Sequence, residues 1–435
     1  MARKQRKYPE IVPLWMALFS DILGFSLLIT VYPSIALEFN LNPLEAGLIM
    51  AVNGLFSFFS APIWGKLSDK HGRKPMLLIS QFGTFMGFII LAFSPNFTWV
   101  IISRVVDGIF GGNFPIAKAI INDIVKPKDL PEQMTTIGVA HNVANLFGPA
   151  LGGILFTYFG LIAPGLAAAS ISLFTLVITQ LKLKESAPIK VNPELLEIRH
   201  SVNPSSKSMS ESSKKQPKWY NNKPLVTSLL ILGFSSIGFM TLITNFAMFS
   251  FLRLDMDSQS MGIFLAVSAV FQILIRYTVY MPALRKIGVL NMVTFGFILY
   301  LVEFIILGIV VTPVQFIFIM ILSTIATSAT RGGINSFIGT FARPHERGKV
   351  QGFATSLETF AQIIGPIIGG ALLTYLDYQF FGSASFVFMA ISLIISQSAK
   401  SMKKALKDKI QESESKHHGH IGIGSQSHPE KREVE

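Results

Sequence analysis

Twelve apolar stretches run along the sequence, and short polar segments separate them. A transmembrane helix needs roughly 20 consecutive apolar residues, and these stretches have about that length. The pattern therefore predicts an all-α integral membrane protein with twelve transmembrane helices. The predicted spans, numbered 1 to 12 in chain order, are 11–36, 45–65, 75–95, 97–122, 134–158, 161–181, 224–252, 260–281, 287–311, 313–341, 348–375 and 379–398.

Two polar segments divide the spans into two sets of six. Residues 183–223 and the tail from 399 are rich in Lys, Ser, Pro and Asn, and such compositions cannot bury enough apolar surface to fold. We therefore expect an N-terminal six-helix bundle at 1–182, a flexible cytoplasmic linker at 183–223, a C-terminal bundle at 224–398 and a disordered cytoplasmic tail at 399–435. Whether the tail histidines, His417, His418 and His420, bind a metal is left open.

The composition excludes several classes of protein. Half of the residues are hydrophobic and 14% are charged, whereas soluble domains have about 25% charged residues. The absence of cysteine excludes disulfide frameworks, thiol catalysis and iron–sulfur clusters. No Gly-x-x-x-x-Gly-Lys-Ser/Thr sequence for nucleotide binding occurs either. We expect a protein that is not an enzyme, has no cofactor and has no metal site in its spans.

The basic residues indicate the orientation in the membrane. Lys and Arg occur at the N-terminus, in the loops after spans 2, 4, 8 and 10, in the linker and in the tail. The loops at 38–45, 94–99, 158–164 and 312–315 have none, and Arg253 is the exception on that side. The positive-inside rule then places both termini in the cytoplasm of a multi-pass cell-membrane protein. The net charge of +12 is a topology signal, and we expect no nucleic-acid partner.

The two sets of spans are repeats of each other. Span 5 contains Gly148-Pro149-Ala-Leu-Gly152-Gly153, and span 11 contains Gly365-Pro366-Ile-Ile-Gly369-Gly370 at an offset of 217 residues. The glycines permit close helix contact and the prolines permit a bend, so we expect both faces to pack against other helices. Two parallel six-helix repeats predict a substrate cavity between the halves near the bilayer midplane.

Three motifs resemble those of the major facilitator superfamily, and most closely its tetracycline and multidrug proton antiporters. They are the loop Gly65-Lys-Leu-Ser-Asp69-Lys-His-Gly72-Arg73-Lys74, the segment Arg104-Val-Val-Asp107-Gly108-Ile-Phe-Gly111-Gly112 in span 4, and the Gly-Pro-x-x-Gly-Gly sequence of span 5. The resemblance implies two pseudo-symmetric six-helix bundles. The copy of the loop motif at 282–288 lacks the acidic residue.

The loop motif implies a cytoplasmic gate. In the family an acidic residue at the position of Asp123 partners the motif arginine, so the resemblance implies an Asp69–Arg73–Asp123 network. It would dock on the N-terminus of span 11 when the transporter is open outward, and Gly65 and Gly72 would permit turns and close helix approach. The alternative is that these charges only set the topology, which explains the basic residues but not Asp69.

Charged and titratable residues inside spans are the candidates for the proton and substrate cavity, because each charge costs at least about 2.5 kcal/mol at mid-bilayer unless paired or hydrated. Along span 4, Arg104, Asp107, Gly111 and Lys118 recur at helical spacing and predict one polar stripe. The resemblance ties the Arg104 position to proton coupling, although Arg104–Asp107 could be a structural pair. The remaining candidates are Asp21 in span 1, His141 in span 5 and Glu358 in span 11.

Asp21 is the favoured proton carrier because its own span offers no charged partner. The opposing interpretation is that Lys118 or Arg104 reaches Asp21 and holds it ionised. A histidine can titrate near neutral pH, which makes His141 a candidate, but it could equally be a hydrogen-bonded packing residue.

These residues and the resemblance predict a secondary transporter that works by alternating access, coupled to protons, with sodium left open. We expect it to export small amphipathic compounds or drugs as a monomer in the lipid bilayer. The alternative is a symporter or facilitator for a small metabolite.

Overall fold

The computed structural model describes residues 8–126, 129–186, 219–275, 278, 280–343 and 346–398. All regular secondary structure in these residues is helical, and eleven of the helical segments are long and apolar enough to cross a membrane. The apolar helix of span 8, Ser258–Gln272, is shorter than these eleven. The prediction of an all-α protein with twelve membrane helices is confirmed. Most of the predicted linker and the whole tail lie outside the described residues.

The first half contains six spans. Spans 1, 2, 3, 5 and 6 are single helices, and span 4 is two helices in line. The helices are α1 (Ile11–Glu38), α2 (Pro43–His71), α3 (Arg73–Ala92), α4 (Phe97–Ile109), α5 (Asn113–Ile124), α6 (Leu130–Phe159) and α7 (Ile162–Lys182).

The second half repeats this order. Span 7 comprises two helices, and a short helix follows span 8. The helices are α8 (Lys223–Ile243), α9 (Phe246–Leu254), α10 (Ser258–Ile275), α11 (Met281–Ile287), α12 (Val289–Leu307), α13 (Pro313–Phe341), α14 (Arg347–Tyr375) and α15 (Ser383–Ser398).

Each half is held together by its own helix contacts. In the first half α1 packs against α6 and α7, and α3 packs against α4 and α7. In the second half α8 packs against α14 and α15, and α12 packs against α13. The halves meet mainly through two helix pairs, α2 with α14 and α6 with α10. A gap between the halves therefore has helices of both bundles as its walls.

The Gly-Pro-x-x-Gly-Gly sequence of α6 faces two different neighbours. A Cβ atom built on Gly148 or Gly152 would collide with α1, at Ser26 and at the Leu27 backbone respectively. A Cβ atom on Gly153 would collide with the backbone of Ser258 in α10. The first two glycines thus let α6 approach a helix of its own half, and the third lets it approach the other half.

The matching sequence of α14 shows the same division. Cβ atoms on Gly365 and Gly369 would collide with α8, and the second of them also with Asn245. A Cβ atom on Gly370 would lie 2.6 Å from the carbonyl oxygen of Pro43 in α2, across the interface. Glycines at equivalent positions of the two repeats, Gly153 and Gly370, therefore permit close contact between the halves at two places.

These interface contacts lie at one end of the bundle, which we call the closed end. There the hydroxyls of Ser34 and Ser258 lie 2.6 Å apart, and the Leu44 amide donates to the Thr374 hydroxyl at 3.0 Å. At the opposite, open end, Cβ atoms built on glycines of α6 and α14 would meet nothing within 4 Å, as at Gly138, Gly348 and Gly352. At these positions α6 and α14 do not touch the other half, and we infer that a gap between the halves opens towards that end.

Span 4 crosses the membrane over Phe97–Ile124, close to the predicted bounds, but its helix is interrupted at residues 110–112, which the sequence did not predict. Side chains from neighbouring helices bind the backbone groups that the break exposes. Ser60 donates to the Gly108 carbonyl at 2.8 Å and Trp64 donates to the Ile109 carbonyl at 2.7 Å. The Ser80 hydroxyl donates to the Phe110 carbonyl and accepts from the Gly112 amide. A break inside a membrane is tolerated only when its backbone groups are satisfied in this way.

Replacing Gly152 by Leu should lower the free energy of unfolding by about 1–3 kcal/mol, because the new side chain would overlap the backbone of α1. Gly138→Leu in the same helix is the matched control, since its Cβ would face open space. Thermal unfolding of both purified variants measures the difference. Equal losses of stability would show that the Gly152 face does not require a glycine.

Candidate functional site

Asp21 lies in the middle of α1, partly buried and facing the break in span 4. Its Oδ1 atom accepts hydrogen bonds from Asn113 Nδ2 at 2.9 Å and from Thr84 Oγ1 at 3.4 Å. Asn113 is the first residue of α5, so the break places its amide against the carboxylate. Within the described residues Asp21 makes no ion pair, and neither Lys118 nor Arg104 contacts it.

Arg104 and Asp107 form a buried ion pair one turn apart on α4. Arg104 Nη1 lies 3.1 Å from Asp107 Oδ2, and their side chains are 2% and 15% exposed. The same oxygen accepts from Asn53 Nδ2 at 2.8 Å, and the guanidinium lies 5.4 Å from the centre of the Phe88 ring. Asp107 therefore neutralises Arg104 inside the first half.

Thr84 connects the two acidic residues. Its hydroxyl is buried and donates to Asp21 Oδ1 at 3.4 Å. Asp107 packs against the next turn of the same helix, where a Cβ atom built on Gly87 would lie 3.0 Å from the Asp107 Cβ atom. One hydroxyl proton can be donated to only one of the two acceptors at a time. Protonation of one carboxylate can thus change the hydrogen bonding of the other.

The polar stripe predicted along span 4 does not exist as one face. Arg104 and Asp107 lie before the break, Gly111 lies in it against Ser57 of α2, and Lys118 follows it. Because the chain is not helical at 110–112, the helical spacing is not maintained from α4 to α5. Lys118 instead stacks on Phe114, with Nζ 4.3 Å from the ring centre.

A second charged group lies in the second half. Arg331 Nη2 of α13 pairs with Glu358 Oε1 of α14 at 3.3 Å, and both side chains are about one-third exposed (35% and 29%). The two remaining candidates, Lys118 on α5 and His141 on α6, belong to the first half. The four residues are therefore divided between the two halves.

In the loop motif, one arginine pairs with two acidic residues. Arg73 Nη1 lies 2.5 Å from Asp69 Oδ1, and Arg73 Nε lies 3.0 Å from Asp123 Oδ2. Gly72 has φ 105°, which supplies the turn between α2 and α3, whereas Gly65 lies inside α2 with open space beside it. Asp69 is 63% exposed, and among the described residues its ion pair is with Arg73.

Two six-helix bundles that repeat each other and carry charged side chains inside their membrane spans are the architecture of a membrane transporter. The chain belongs to the Major Facilitator Superfamily, because the sequence profile of that family matches residues 14–281 and 230–418. It is thus a secondary active transporter of the alternating-access type.

Bacterial resistance and efflux proteins resemble the chain over most of its length. The chain is 25% identical to the tetracycline resistance protein, class H, of Pasteurella multocida, over 82% of this chain and 86% of that protein. It is 23% identical to multidrug resistance protein 1 of Bacillus subtilis (strain 168), over 92% of this chain and 99% of that protein. The multi-drug resistance efflux pump PmrA homolog of Lactococcus lactis subsp. lactis (strain IL1403) is 23% identical, over 81% and 84%.

Solved structures share the fold. A bacterial homolog of the human lysosomal transporter Spinster, in an inward-facing and occupied conformation, has a TM-score of 0.70 and 14% identity, over 91% of this chain and 98% of that one. A peptide transporter POT in complex with sulfate has a TM-score of 0.72 and 12% identity, over 92% of this chain and 96% of that one. At these identities the likeness concerns the fold alone.

Arg104→Leu should lower the free energy of unfolding by about 3–5 kcal/mol, because it leaves the Asp107 carboxylate buried without its cation. The double variant Arg104→Leu/Asp107→Leu should lose less, since it removes both charges. Chemical unfolding of the single and double variants in detergent tests this. A double variant that is less stable than the single one would contradict the buried pair.

Proposed function

We propose that the chain is a proton-coupled exporter of small amphipathic compounds, with Asp21 as the proton carrier. The observation that supports this most is the position of Asp21. It is a carboxylate inside the membrane span, it faces polar groups of α3 and α5, and no cation pairs with it in the described residues. The names of the relatives, which include multidrug and tetracycline resistance proteins, favour export.

Protonation of Asp21 would change the hydrogen bonds around it. A carboxylate accepts from both Asn113 and Thr84, whereas the protonated acid also becomes a donor. Thr84 can then donate to Asp107 instead, which alters the bonding of the Arg104 pair. Protonation of Asp21 would in this way change the hydrogen bonds of α4 next to the interruption in span 4. It would thereby alter a helix that borders the gap.

We assign the open end to the cytoplasm, because the loops of that end carry the Lys and Arg residues. The described conformation would then face inward, ready to take a compound from the cytoplasm. In the outward-facing state the open end would close, and Asp69 would come to lie against the N-terminus of α14. A helix N-terminus stabilises an anion, so this contact would latch the gate.

One copy of the chain supplies both walls of the gap, so we propose that the monomer is the functional unit. Transport by this route moves a compound and a proton without a covalent step, and no enzyme activity is needed.

In vesicles with an imposed pH gradient, the wild-type protein should accumulate at least one member of a panel of amphipathic compounds. Asp21→Asn should abolish this gradient-driven accumulation, since Asn cannot carry the proton, but should retain exchange of labelled for unlabelled compound. Glu38→Gln is the matched control, because Glu38 is an exposed acid at the end of the same helix.

Gradient-driven accumulation that survives in Asp21→Asn would exclude Asp21 as the coupling acid and leave Glu358 and Asp107 as candidates. Uptake of the compound together with protons, in place of exchange against them, would reverse the proposed direction of transport.

A further inference from the structure

Helix α5 makes a polar contact near each of its ends, and these contacts belong to two sites described above. Asn113, its first residue, is buried and donates from Nδ2 to Asp21 Oδ1 at 2.9 Å. Asp123, in its last turn, accepts from Arg73 Nε at 3.0 Å. The two contacts lie about 15 Å apart along the helix axis, given the rise of an α-helix. One short helix therefore joins the candidate proton carrier to the arginine of the loop motif.

The backbone of α5 is separated from that of α4. In a continuous helix the amide of residue 115 would donate to the carbonyl of Gly111. Residue 115 is a proline, which has no amide hydrogen, so this bond cannot form. The hydrogen bonds of α5 begin one residue later, where the Ile116 amide donates to the Gly112 carbonyl at 3.2 Å. The break thus removes the hydrogen bonding that would make α5 move with α4.

The lateral packing of α5 is apolar. The helix packs against α1, α2, α3 and α6, and its buried residues besides Asn113 are Ile116, Ala117, Ile120 and Ile121. Apolar contacts are non-directional, so they keep the helix against its neighbours without fixing its position along its own axis. Hydrogen bonds are directional. The two polar contacts near the ends therefore set the axial position of α5.

Asn113 can bond to Asp21 in both protonation states of the acid. Its Nδ2 atom donates to the carboxylate, and its Oδ1 atom is buried without a hydrogen-bond partner among the described residues. Protonated Asp21 becomes a donor, for which this oxygen is an acceptor on the same amide. The exchange turns the amide and replaces a charge-assisted hydrogen bond by a neutral one, which is roughly half as strong. Protonation therefore weakens the contact that positions the first residue of α5.

No other charged group replaces Asp21 in this contact. The charged or titratable side chains that lie inside the spans around it, or on the helix of the second half that packs against α1, are Arg104, Asp107, Lys118, His141 and Arg253. Among the described residues none of them makes an ion pair or a hydrogen bond with Asp21 or Asn113. Arg104 and Asp107 pair with each other, Lys118 stacks on a ring of its own helix, and Arg253 donates to a loop carbonyl.

We propose that α5 transmits the protonation of Asp21 to the charge network of the loop motif, with Asn113 as the positioning residue at one end and Asp123 as the contact at the other. With Asp21 ionised, both ends of the helix are fixed. Protonation releases the Asn113 end, so that α5 shifts and alters the Asp123–Arg73 pair. This inference rests on the proposed proton coupling, and it specifies how the proton site controls the gate at the open end.

The distance across the open end, measured against pH, tests the inference with the full chain in phosphatidylcholine vesicles and no gradient. Spin labels on a Lys70→Cys/Lys349→Cys pair report this distance, because the chain has no other cysteine. The infrared carboxylic-acid band that Asp21→Asn removes reports the protonation of Asp21 in the same samples. The distance should change over the pH range in which this band appears, and Asp21→Asn should abolish the change.

Variants at the two ends of α5 should separate the two signals. Asn113→Leu should retain the infrared band and lose the change in distance, because the helix no longer carries the amide. Asp123→Asn should give the same result from the far end. Asn291→Leu and Asp377→Asn, at exposed positions of the second half, are the matched controls and should retain both signals. Damage to the fold would remove the infrared band as well, so it cannot imitate the expected result.

A pH-dependent distance that survives in Asn113→Leu or in Asp123→Asn would overturn the inference. So would its loss in Thr84→Val with the infrared band retained, because Thr84 connects Asp21 to α3 and not to α5. An infrared band in the wild type without a change in distance would contradict transmission through α5 alone. Absence of the band from the wild type would instead overturn the role of Asp21 as proton carrier, and this inference with it.

Discussion

Polar groups inside the bilayer must be satisfied by the protein itself, and this constraint organises the structure around span 4. Where the helix stops at 110–112, hydroxyl and indole groups of α2 and α3 bind the exposed carbonyls. The same break sets Asn113 at the start of α5, where its amide reaches Asp21. The backbone interruption and the candidate proton site are therefore linked, because the break that these side chains stabilise is what places Asn113 against Asp21.

The internal repeat explains why the two halves can move against each other as units. In each Gly-Pro-x-x-Gly-Gly sequence, two glycines fix a helix to its own half and the last glycine contacts the other half. The contacts within a half are more extensive than those between halves, which are concentrated at the closed end. A change at that end can therefore separate the halves without disturbing the packing of either bundle.

Much of this arrangement could be predicted from the sequence, because the membrane limits what a chain can do. The length of a span fixes the helix count, and a charge inside a span is rare enough to single out Asp21 and the Arg104–Asp107 pair. Thr84 gave no such signal, since an uncharged hydroxyl is inexpensive in any membrane helix. Arg331 was overlooked because a cation near the end of a membrane span resembles one whose side chain extends to the lipid headgroups. The break at 110–112 depends on partners in other helices, which no local pattern reveals.

The central claim is that the halves rock about the gap, and the distance between them at both ends tests it most directly. Because the chain has no cysteine, spin labels can be placed on engineered pairs alone. A Lys70→Cys/Lys349→Cys pair reports the open end, and a Glu38→Cys/Ser260→Cys pair reports the closed end. We expect a change of pH or the addition of a transported compound to shorten the first distance while lengthening the second. Two distances that change in the same direction, or an open-end distance that never shortens, would contradict alternating access in this protein.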